Sequence, residues 1–187
     1  MSAILKSIRE LSAGSEEDVL DIFYSLKKKK IEKDDFILRE GEVCTQYFFV
    51  ESGSVRLFYV KDEIDYTVWI GTGGEVFTNL ESYLDGSKSR INIQALEPSV
   101  VYVIHKPQSD ELALTLNAYN TLLRKTVEIA FVNLSKNVIS FQSEEAAERY
   151  QRVEAEKNWI SKYPLKYIST FIGVTQSSLS RIRSKKN

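Results

Sequence analysis

The feature that most limits the fold of this chain is a stretch of 34 residues, 109–142, that contains no glycine or proline. Its apolar residues form two stripes at helical spacing. The first stripe contains Leu116, Leu123, Val127, Ala130, Leu134 and Phe141, and the second contains Leu122, Ile129, Val132 and Ile139. A helix with two apolar stripes buries two faces. We therefore predict a long helix that packs on its own chain and, through Leu123, Val127, Ala130 and Leu134, on the same helix of a second copy in a parallel homodimer. A helix enclosed within a single chain is the alternative.

The region before this stretch has the pattern of short antiparallel strands. Six of the eight glycines lie between residues 41 and 86, where they separate short apolar segments. YFFV (47–50) and VRLFYV (55–60) flank the turn ESGS, and YTVWI (66–70), RINIQAL (90–96) and VVYVI (100–104) follow. Strands at this spacing predict a β-sandwich or β-roll of roughly 80 residues.

Residues 1 to about 30 have the apolar spacing of helices, with Ser15 placed to cap one of them and Asp18 three positions later. The basic run Lys27–Lys30 is closely followed by acidic residues, so we interpret it as a solvated helix end rather than a phosphate site. The predicted fold class is α+β. Its parts are N-terminal helices with a β-roll over 1–108, the long helix over 109–142, and a third region over 143–187, where Ser143 is placed to cap a helix running to Ile160.

The third region differs from the rest in its charge. Residues 1–156 carry 18 Lys and Arg against 26 Asp and Glu, whereas residues 157–187 carry 7 against none. A formal charge of −8 is thus followed by one of +7. This asymmetry favours a polyanionic partner for the C-terminal region. A solvated basic tail is the alternative, and composition alone does not separate the two.

The residues around Gly173 have the pattern of a helix–turn–helix. Apolar residues at fixed offsets pack two short helices at their crossing, small Ser169 permits close approach, and glycine takes the positive φ of the tight turn. Pro164 suits the first turn of the first helix, and Thr175 can cap the second. The apolar positions are Ile168, Ile172, Val174, Leu179 and Ile182.

The second of these helices carries side chains suited to DNA. With its apolar residues turned inwards, polar side chains face outwards near the N-terminal end, which enters a major groove in such motifs. The predicted base-reading residues are Gln176, Ser177, Ser180 and Arg181. Glutamine suits adenine, arginine suits guanine, and hydroxyls bond bases or phosphates. The predicted phosphate contacts, which fix position without reading sequence, are Lys166, Thr175, Ser178, Arg183, Lys185 and Lys186.

Composition argues against several other classes of protein. Cys44 is the only cysteine and His105 the only histidine, so multi-thiolate metal sites and the His-rich metal centre of a cupin enzyme are excluded. We predict no catalytic residue and no metal. No apolar run approaches the roughly 20 residues of a membrane span, and the N-terminus lacks a signal-peptide pattern. These features favour a protein of the reducing cytoplasm without a membrane partner.

The three regions in this order resemble the catabolite-activator-type (Crp/Fnr) transcription regulators. The segments that carry the resemblance are REGEV (39–43), YFFVESGSVRLFY (47–59), GGEVF (73–77), QALE (94–97) and GVTQSSLSRIR (173–183). The resemblance implies a cyclic-nucleotide-binding-like β-roll, of the double-stranded β-helix type, that senses a small effector. It also implies a homodimer on double-stranded DNA, with RNA polymerase as a further partner, and it places Gln176, Ser177 and Arg181 where the family reads bases.

The sequence departs from this family at the phosphate cassette of the cyclic-nucleotide-binding members. Gly74 and Glu75 match the start of the cassette, but its end reads Ser89-Arg90-Ile91, with the arginine one place late. On a strand, a shift of one residue turns a side chain to the opposite face. We therefore expect the effector pocket, if Gly74, Glu75, Ser89 and Arg90 line one, to serve a ligand other than cyclic AMP, or to be vestigial.

A second departure concerns the end of the sequence. Only four residues follow Arg183, so we expect at most a truncated wing and a shallow salt dependence of DNA binding. In the expected mechanism, an effector shifts the paired long helices, with a hinge near residues 142–144, and resets the separation of the recognition helices. The alternative function is a module that acts through ligand or protein contacts without reading DNA. The sequence identifies neither effector nor operator, and does not separate activation from repression.

Overall fold

A computed structural model describes residues 2–184, apart from the side chain of Glu156. The chain divides into two compact units. The first unit consists of residues up to 57 together with 70–130, and the second consists of 58–69 together with the residues from 131 onward. Residues 58–69, from the middle of the β-region, thus belong with the C-terminal helices, a grouping that the sequence pattern does not indicate.

The N-terminal segment forms the two helices that its apolar spacing predicts, α1 (Ala3–Ser12) and α2 (Glu16–Tyr24). Ser15 caps α2 as expected. Its side chain accepts from the Asp18 N–H while the Asp18 side chain accepts from the Ser15 N–H, which is the reciprocal capping box. Both helices contribute apolar residues to the core of the first unit.

The basic run Lys27–Lys30 is not a helix end, and the interpretation made from the sequence is wrong here. These residues begin strand β1 (Lys27–Ile31), which pairs antiparallel with β8 (Ser99–His105). Lysine has low strand propensity, but the propensity scale spans only about 1 kcal/mol and pairing with a buried neighbour overrides it. All four lysines are exposed on this strand.

The remaining strands form the predicted β-roll as two four-stranded sheets. Their orders are β1-β8-β3-β6 and β2-β7-β4-β5, so most neighbours in space are distant in sequence. The strands are β2 Phe36–Leu38, β3 Gln46–Ser52, β4 Ser54–Lys61, β5 Ile64–Thr72, β6 Val76–Phe77 and β7 Asn92–Ala95. A short helix, α3 (Leu80–Asp85), lies between β6 and β7 in the chain.

The core of the first unit lies among α1, α2, strands β3 and β8, and the start of the long helix that begins at Asn117. Each of these elements contributes buried apolar side chains to one continuous cluster. Members of the cluster include Ile4, Ile8, Val19, Ile22, Tyr47, Phe49, Ile104, Tyr119 and Leu122. The N-terminal helices are therefore integral to this unit.

The long helix predicted over 109–142 is two helices, α4 (Lys106–Thr115) and α5 (Asn117–Ser143). The chain is extended at Leu116 between them. Asn120 donates a side-chain hydrogen bond to the Ala113 carbonyl. A polar side chain that satisfies a backbone group in this way competes with an uninterrupted helix. The apolar spacing, which continues through the break, does not reveal it.

Four helices follow α5: α6 (Ala146–Glu156), α7 (Trp159–Lys162), α8 (Leu165–Ile172) and α9 (Gln176–Ser184). The predicted cap at Ser143 is wrong. Ser143 is the last residue of α5, its hydroxyl donates to the Ile139 carbonyl, and Glu145 caps α6 in a capping box with Glu148. The helix predicted to run to Ile160 ends at Glu156. Within residues 2–184, no helix has the length and apolar character needed to cross a bilayer.

Candidate nucleic-acid interface

Helix α8 ends in a tight turn at Gly173. The backbone N–H of Val174 donates to the Ser169 carbonyl at 2.9 Å, and that of Gly173 donates to the Thr170 carbonyl at 3.2 Å. Gly173 has a φ of +83°, in the left-handed region. This pair of bonds is a Schellman motif, which satisfies the last carbonyls of a helix and reverses the chain direction. Pro164 lies at the N-cap of α8, one position before the first helical turn in which the sequence placed it.

A side chain at Gly173 would also displace the ring of Phe141. A Cβ atom at Gly173 would lie 2.6 Å from Cε1 of Phe141, closer than side chains approach one another. Phe141 belongs to the last turn of α5. The end of α5 therefore packs directly on the backbone of the turn that precedes α9.

Helix α9 begins immediately after this turn. The Thr175 hydroxyl accepts from the Ser178 N–H at 3.2 Å, as expected for an N-cap. Leu179 is fully buried and Ile182 is partly buried, so these two side chains fix the inward face of α9. The amphipathic spacing then decides which residues face solvent.

All four predicted base-reading residues lie exposed on α9: Gln176, Ser177, Ser180 and Arg181. The guanidinium of Arg181 contacts the Ser178 hydroxyl at 3.4 Å, and Ser177 bonds the capping hydroxyl of Thr175 at 3.0 Å. Within residues 2–184, Gln176 and Ser180 form no side-chain hydrogen bond. This surface thus combines an amide, two hydroxyls and a guanidinium, groups that can match the donors and acceptors of base edges.

The predicted phosphate contacts differ more in their surroundings. Lys166 and Arg183 are exposed, and the Lys166 ammonium lies 4.9 Å from the ring centre of Tyr167. Thr175 is exposed, although its hydroxyl also caps α9, and Ser178 is half-buried. Lys185 and Lys186 lie outside the described residues.

A network of two arginines joins the end of α5 to the α8–α9 turn. Arg149, on α6, donates from Nε to the Ile172 carbonyl at 2.8 Å and from Nη1 to the Glu144 carbonyl at 2.5 Å. Arg152, three residues later, bonds Ser140 and Glu144. The hydrogen bond from the Ser140 hydroxyl, together with Arg152, lowers the pKa of Glu144 below its ordinary value. The sequence analysis missed both arginines, because it interpreted α6 only through its caps and length.

Helix α5 presents a row of exposed apolar side chains along its second half. The exposed residues are Val127, Phe131, Leu134, Val138 and Phe141, spaced alternately four and three residues apart, with Ile129, Val132 and Ile139 beside them. Two of the predicted dimer residues, Val127 and Leu134, belong to this row, and Ala130 is also exposed. Leu123 instead packs partly buried against the core of the first unit. Alternating spacings of four and three are those of a coiled-coil seam.

The predicted effector residues Gly74 and Glu75 lie in the turn between β5 and β6. Gly74 has a φ of +95° and donates its N–H to the Val50 carbonyl at 2.8 Å. The Glu75 carboxylate accepts from the Thr72 N–H at 2.5 Å and from the Thr72 hydroxyl at 3.2 Å. The carboxylate is therefore engaged in fixing its own turn.

Ser89 and Arg90 lie between α3 and β7. Ser89 is buried, and its hydroxyl donates to the Ile91 carbonyl at 2.6 Å and accepts from the Asn79 amide at 2.7 Å. The Arg90 side chain is 79% exposed and bonds both oxygens of Glu81, the shorter contact being 2.7 Å. Arg90 lies in a bend and not on a strand. The prediction that a shift of one residue turns its side chain to the opposite face of a strand therefore does not apply. Glu81, on α3, is what directs Arg90.

The sequence analysis also missed two other features of the site. Arg56, in the middle of the apolar run of β4, is 1% exposed, with Nη2 3.4 Å from the Gln94 Oε1 atom. In the second unit, Trp69 of β5 packs edge-on against Trp159 and Phe171. Each of these residues sits in an apolar segment, and apolar spacing shows that a face is buried without showing what covers it.

Comparisons with known proteins support a domain assignment for the β-roll. Residues 28–115 match the family model of the cyclic nucleotide-binding domain. A sequence comparison with curated proteins finds no match. The matched segment contains the β-roll and ends at the last residue of α4.

Several solved structures share the fold over most of the chain. A variant of CooA from Carboxydothermus hydrogenoformans is 15% identical with a TM-score of 0.71, over 88% of this chain and 78% of that one. The c-di-GMP responsive global regulator CLP of Xanthomonas campestris is 13% identical with a TM-score of 0.70, over 92% and 91%. A Crp/Fnr-family transcriptional regulator from Eubacterium rectale is 13% identical with a TM-score of 0.70, over 92% and 83%. The chain therefore contains a β-roll that matches the cyclic nucleotide-binding domain model, followed by a long helix, and it shares its fold with these regulator structures.

Proposed function

We propose that this protein is a dimeric transcription regulator that reads DNA through α9, with a β-roll that senses an effector other than cyclic AMP or has lost that role. The observation that carries the proposal is the α8–α9 pair. A Schellman turn at Gly173 is followed by a helix that buries Leu179 and exposes Gln176, Ser180 and Arg181. This is the arrangement by which a helix–turn–helix presents base-reading side chains to a major groove.

The exposed row on α5 supports the dimer. Phe131 and Leu134 are 68% and 58% exposed. Single large apolar side chains are common on protein surfaces, but a continuous row of them along a helix is not. The spacing of the row suits a parallel coiled coil with a second α5. A two-fold dimer would present two copies of α9 to successive turns of one duplex, about 34 Å apart.

The contacts made by the residues of the phosphate cassette, Glu75, Ser89 and Arg90, support an effector other than cyclic AMP. Arg90 pairs with Glu81, Glu75 with Thr72, and the Ser89 hydroxyl with neighbouring groups. A phosphate bound there would have to replace contacts that the protein already makes. A cyclic phosphate that lacks a charge-assisted hydrogen bond from an arginine loses about 1.5–3 kcal/mol of binding free energy.

The proposal predicts sequence-selective binding to palindromic DNA by a dimer. Selection from a randomised duplex library should yield a palindrome bound with a Kd of about 10⁻⁸ M at physiological salt. Sedimentation should give the mass of two chains. Leu134→Glu, which places a charge in the exposed row, should give monomers that no longer bind the palindromic duplex.

The matched control for that variant is Leu114→Glu. Leu114 is even more exposed, at 89%, but it lies on α4 outside the row. It should leave the mass and the DNA affinity unchanged. Selection that returns no enriched sequence, or a wild-type protein that sediments as a single chain, would overturn the proposal.

A further inference from the structure

The tip of the β4–β5 hairpin belongs to the same compact unit as the proposed DNA-reading helices. Strands β4 and β5 meet at Asp62 and Glu63, whose φ angles of +51° and +63° are those of a two-residue type I′ turn. Residues 58–69 lie in the second unit, and the parts of both strands nearer the β-roll lie in the first. The chain thus links the two units through this hairpin as well as through α5.

One contact between the hairpin and α8 is polar. The backbone N–H of Thr67 donates to the Thr170 hydroxyl oxygen at 3.1 Å, and the two threonine hydroxyls lie 3.3 Å apart. Thr67 is 5% exposed. Strand β5 is an edge strand of its sheet. The Thr170 hydroxyl of α8 therefore accepts a hydrogen bond from a backbone N–H of this edge strand.

A second contact is aromatic. The ring centre of Trp69 lies 5.4 Å from that of Trp159 on α7 and 6.2 Å from that of Phe171 on α8, both edge-on. Trp159 and Phe171 lie 4.9 Å apart, and the Lys157 ammonium lies 4.5 Å from the Trp69 ring centre. Edge-on aromatic pairs and a cation above a ring both favour one geometry over others, so this cluster fixes an orientation as well as burying apolar surface.

These contacts leave the proposed reading surface open. Thr67 and Trp69 point to one face of β5, because side chains alternate along a strand. They reach α7 and α8, whereas Gln176 and Arg181 of α9 remain exposed. Val68, between them, points to the other face and is 44% exposed. The docked hairpin is therefore compatible with DNA binding.

We infer that Thr67 and Trp69 are positioning residues for DNA reading: through Thr170 and the Trp159–Phe171 pair they hold α8, and with it α9, in one orientation to the second half of α5, which lies in the same compact unit. The inference rests on the proposed function. In the dimer, the separation of the two α9 helices then depends on the hairpin, while the sequence read by each α9 does not.

The test measures base preference and half-site spacing separately. The wild-type protein, Trp69→Ala and Val68→Ala are each titrated with duplexes that carry the selected half-sites at one spacing and at spacings one or two base pairs longer and shorter. The wild type and Val68→Ala should prefer one spacing at least tenfold. Trp69→Ala should reduce that preference below threefold and keep the wild-type base preference within each half-site.

A second variant covers the case in which Trp69→Ala fails to fold. Thr170→Val keeps the shape of the side chain but removes the oxygen that accepts from Thr67, and it should also reduce the spacing preference, by at least threefold. Because Trp69 and Trp159 are the only tryptophans, their fluorescence reports whether the contact is intact.

Three results would count against the inference, and they are distinguishable. Folded Trp69→Ala and Thr170→Val proteins that keep the wild-type spacing preference would overturn the inference alone. A wild-type protein without any sequence preference would overturn the proposed function, and the inference with it. A parallel loss of base preference and spacing preference in Thr170→Val would assign the contact to folding rather than to positioning.

Discussion

The segment around α3 and the α8–α9 pair contain similar residues, but their polar side chains differ in whether they are already bonded within the protein. Each has a helix that ends at a glycine with positive φ, Gly86 or Gly173, and each has an exposed arginine nearby, Arg90 or Arg181. Arg90 bonds both oxygens of Glu81, whereas Arg181 makes a single 3.4 Å contact to a serine. The glycines differ as well, since a Cβ at Gly86 would meet nothing within 4 Å.

The difference shows how to tell a structural polar group from one that is available to a partner. Around α3, the hydroxyl of Ser89 and the guanidinium of Arg90 are already bonded within the protein, so a ligand would have to compete for them. On α9, the side chains of Gln176 and Ser180 have no such bonds within residues 2–184. Residue type alone does not separate these two situations, since both segments are polar and both have exposed cations.

The largest effect that tests this comparison is expected at the two glycines. Gly173→Ala should lower the free energy of unfolding of α8 by about 3 kcal/mol, because strain at positive φ adds to the clash with Phe141. Gly86→Ala, the matched variant, should cost α3 only the strain, about 1–2 kcal/mol. Native-state hydrogen exchange of the amides in each helix measures both values. Equal losses would show that the packing of Phe141 on the turn contributes nothing.

A smaller effect is expected at the two arginines. Arg181→Ala should weaken binding to the selected palindrome about 10- to 100-fold and relax the base preference at one position of each half-site, which corresponds to about 1–3 kcal/mol. Arg90→Ala removes the same charge from an exposed site and should leave the affinity for the selected palindrome unchanged. Its ion pair with Glu81 lies at the surface, where such pairs contribute about 0–1 kcal/mol to stability.

The comparison of the two arginines fails if they behave alike. An Arg181→Ala protein that binds the palindrome as the wild type does would remove α9 from the reading surface. An Arg90→Ala protein that loses binding to the same degree would mean that the effect of Arg181 is one of net charge.

The smallest effect is expected at the junction of α5 and α6. The pKa of Glu144 is lowered by its hydrogen bond from Ser140 and by Arg152, so the carboxylate contributes stability that is present at neutral pH. That contribution is lost as the pH falls through the lowered pKa of Glu144. Glu144→Gln should therefore flatten the acid side of the curve of Tm against pH for the second unit. Glu63→Gln, at the exposed hairpin turn, should keep the wild-type slope, and identical curves for all three proteins would contradict the assignment.

The parts of the fold that the sequence predicts are those fixed by local chemistry. Gly173, Thr175 and the apolar positions around them specify the helix ends and the inward faces of α8 and α9, since caps and apolar spacing act within a few residues. The β4 segment is predicted for the same reason. Its spacing indicates a strand, and a neighbouring glycine marks the turn before it.

The sequence fails where distant residues decide the outcome. Lys27–Lys30 is a strand because β8 lies beside it. Lys30 pairs with Val100, 70 residues later in the sequence, and no local pattern contains that pairing. The break at Leu116, beside which Asn120 bonds the Ala113 carbonyl, is a local feature that apolar spacing does not reveal. The docking of Trp69 on Trp159 depends on a partner 90 residues later, so alternation along β5 reveals a buried face but not its neighbour.

Strand β1 has a consequence for how copies of this protein meet. It is the outermost strand of its sheet, and an outermost strand is a template on which another chain can add. Because β1 carries four adjacent lysines, two such edge strands repel each other at low ionic strength. Crowded copies are thus steered away from open-ended stacking through this edge of their sheets, which distinguishes it from the uncharged row on α5 that we propose as the dimer surface.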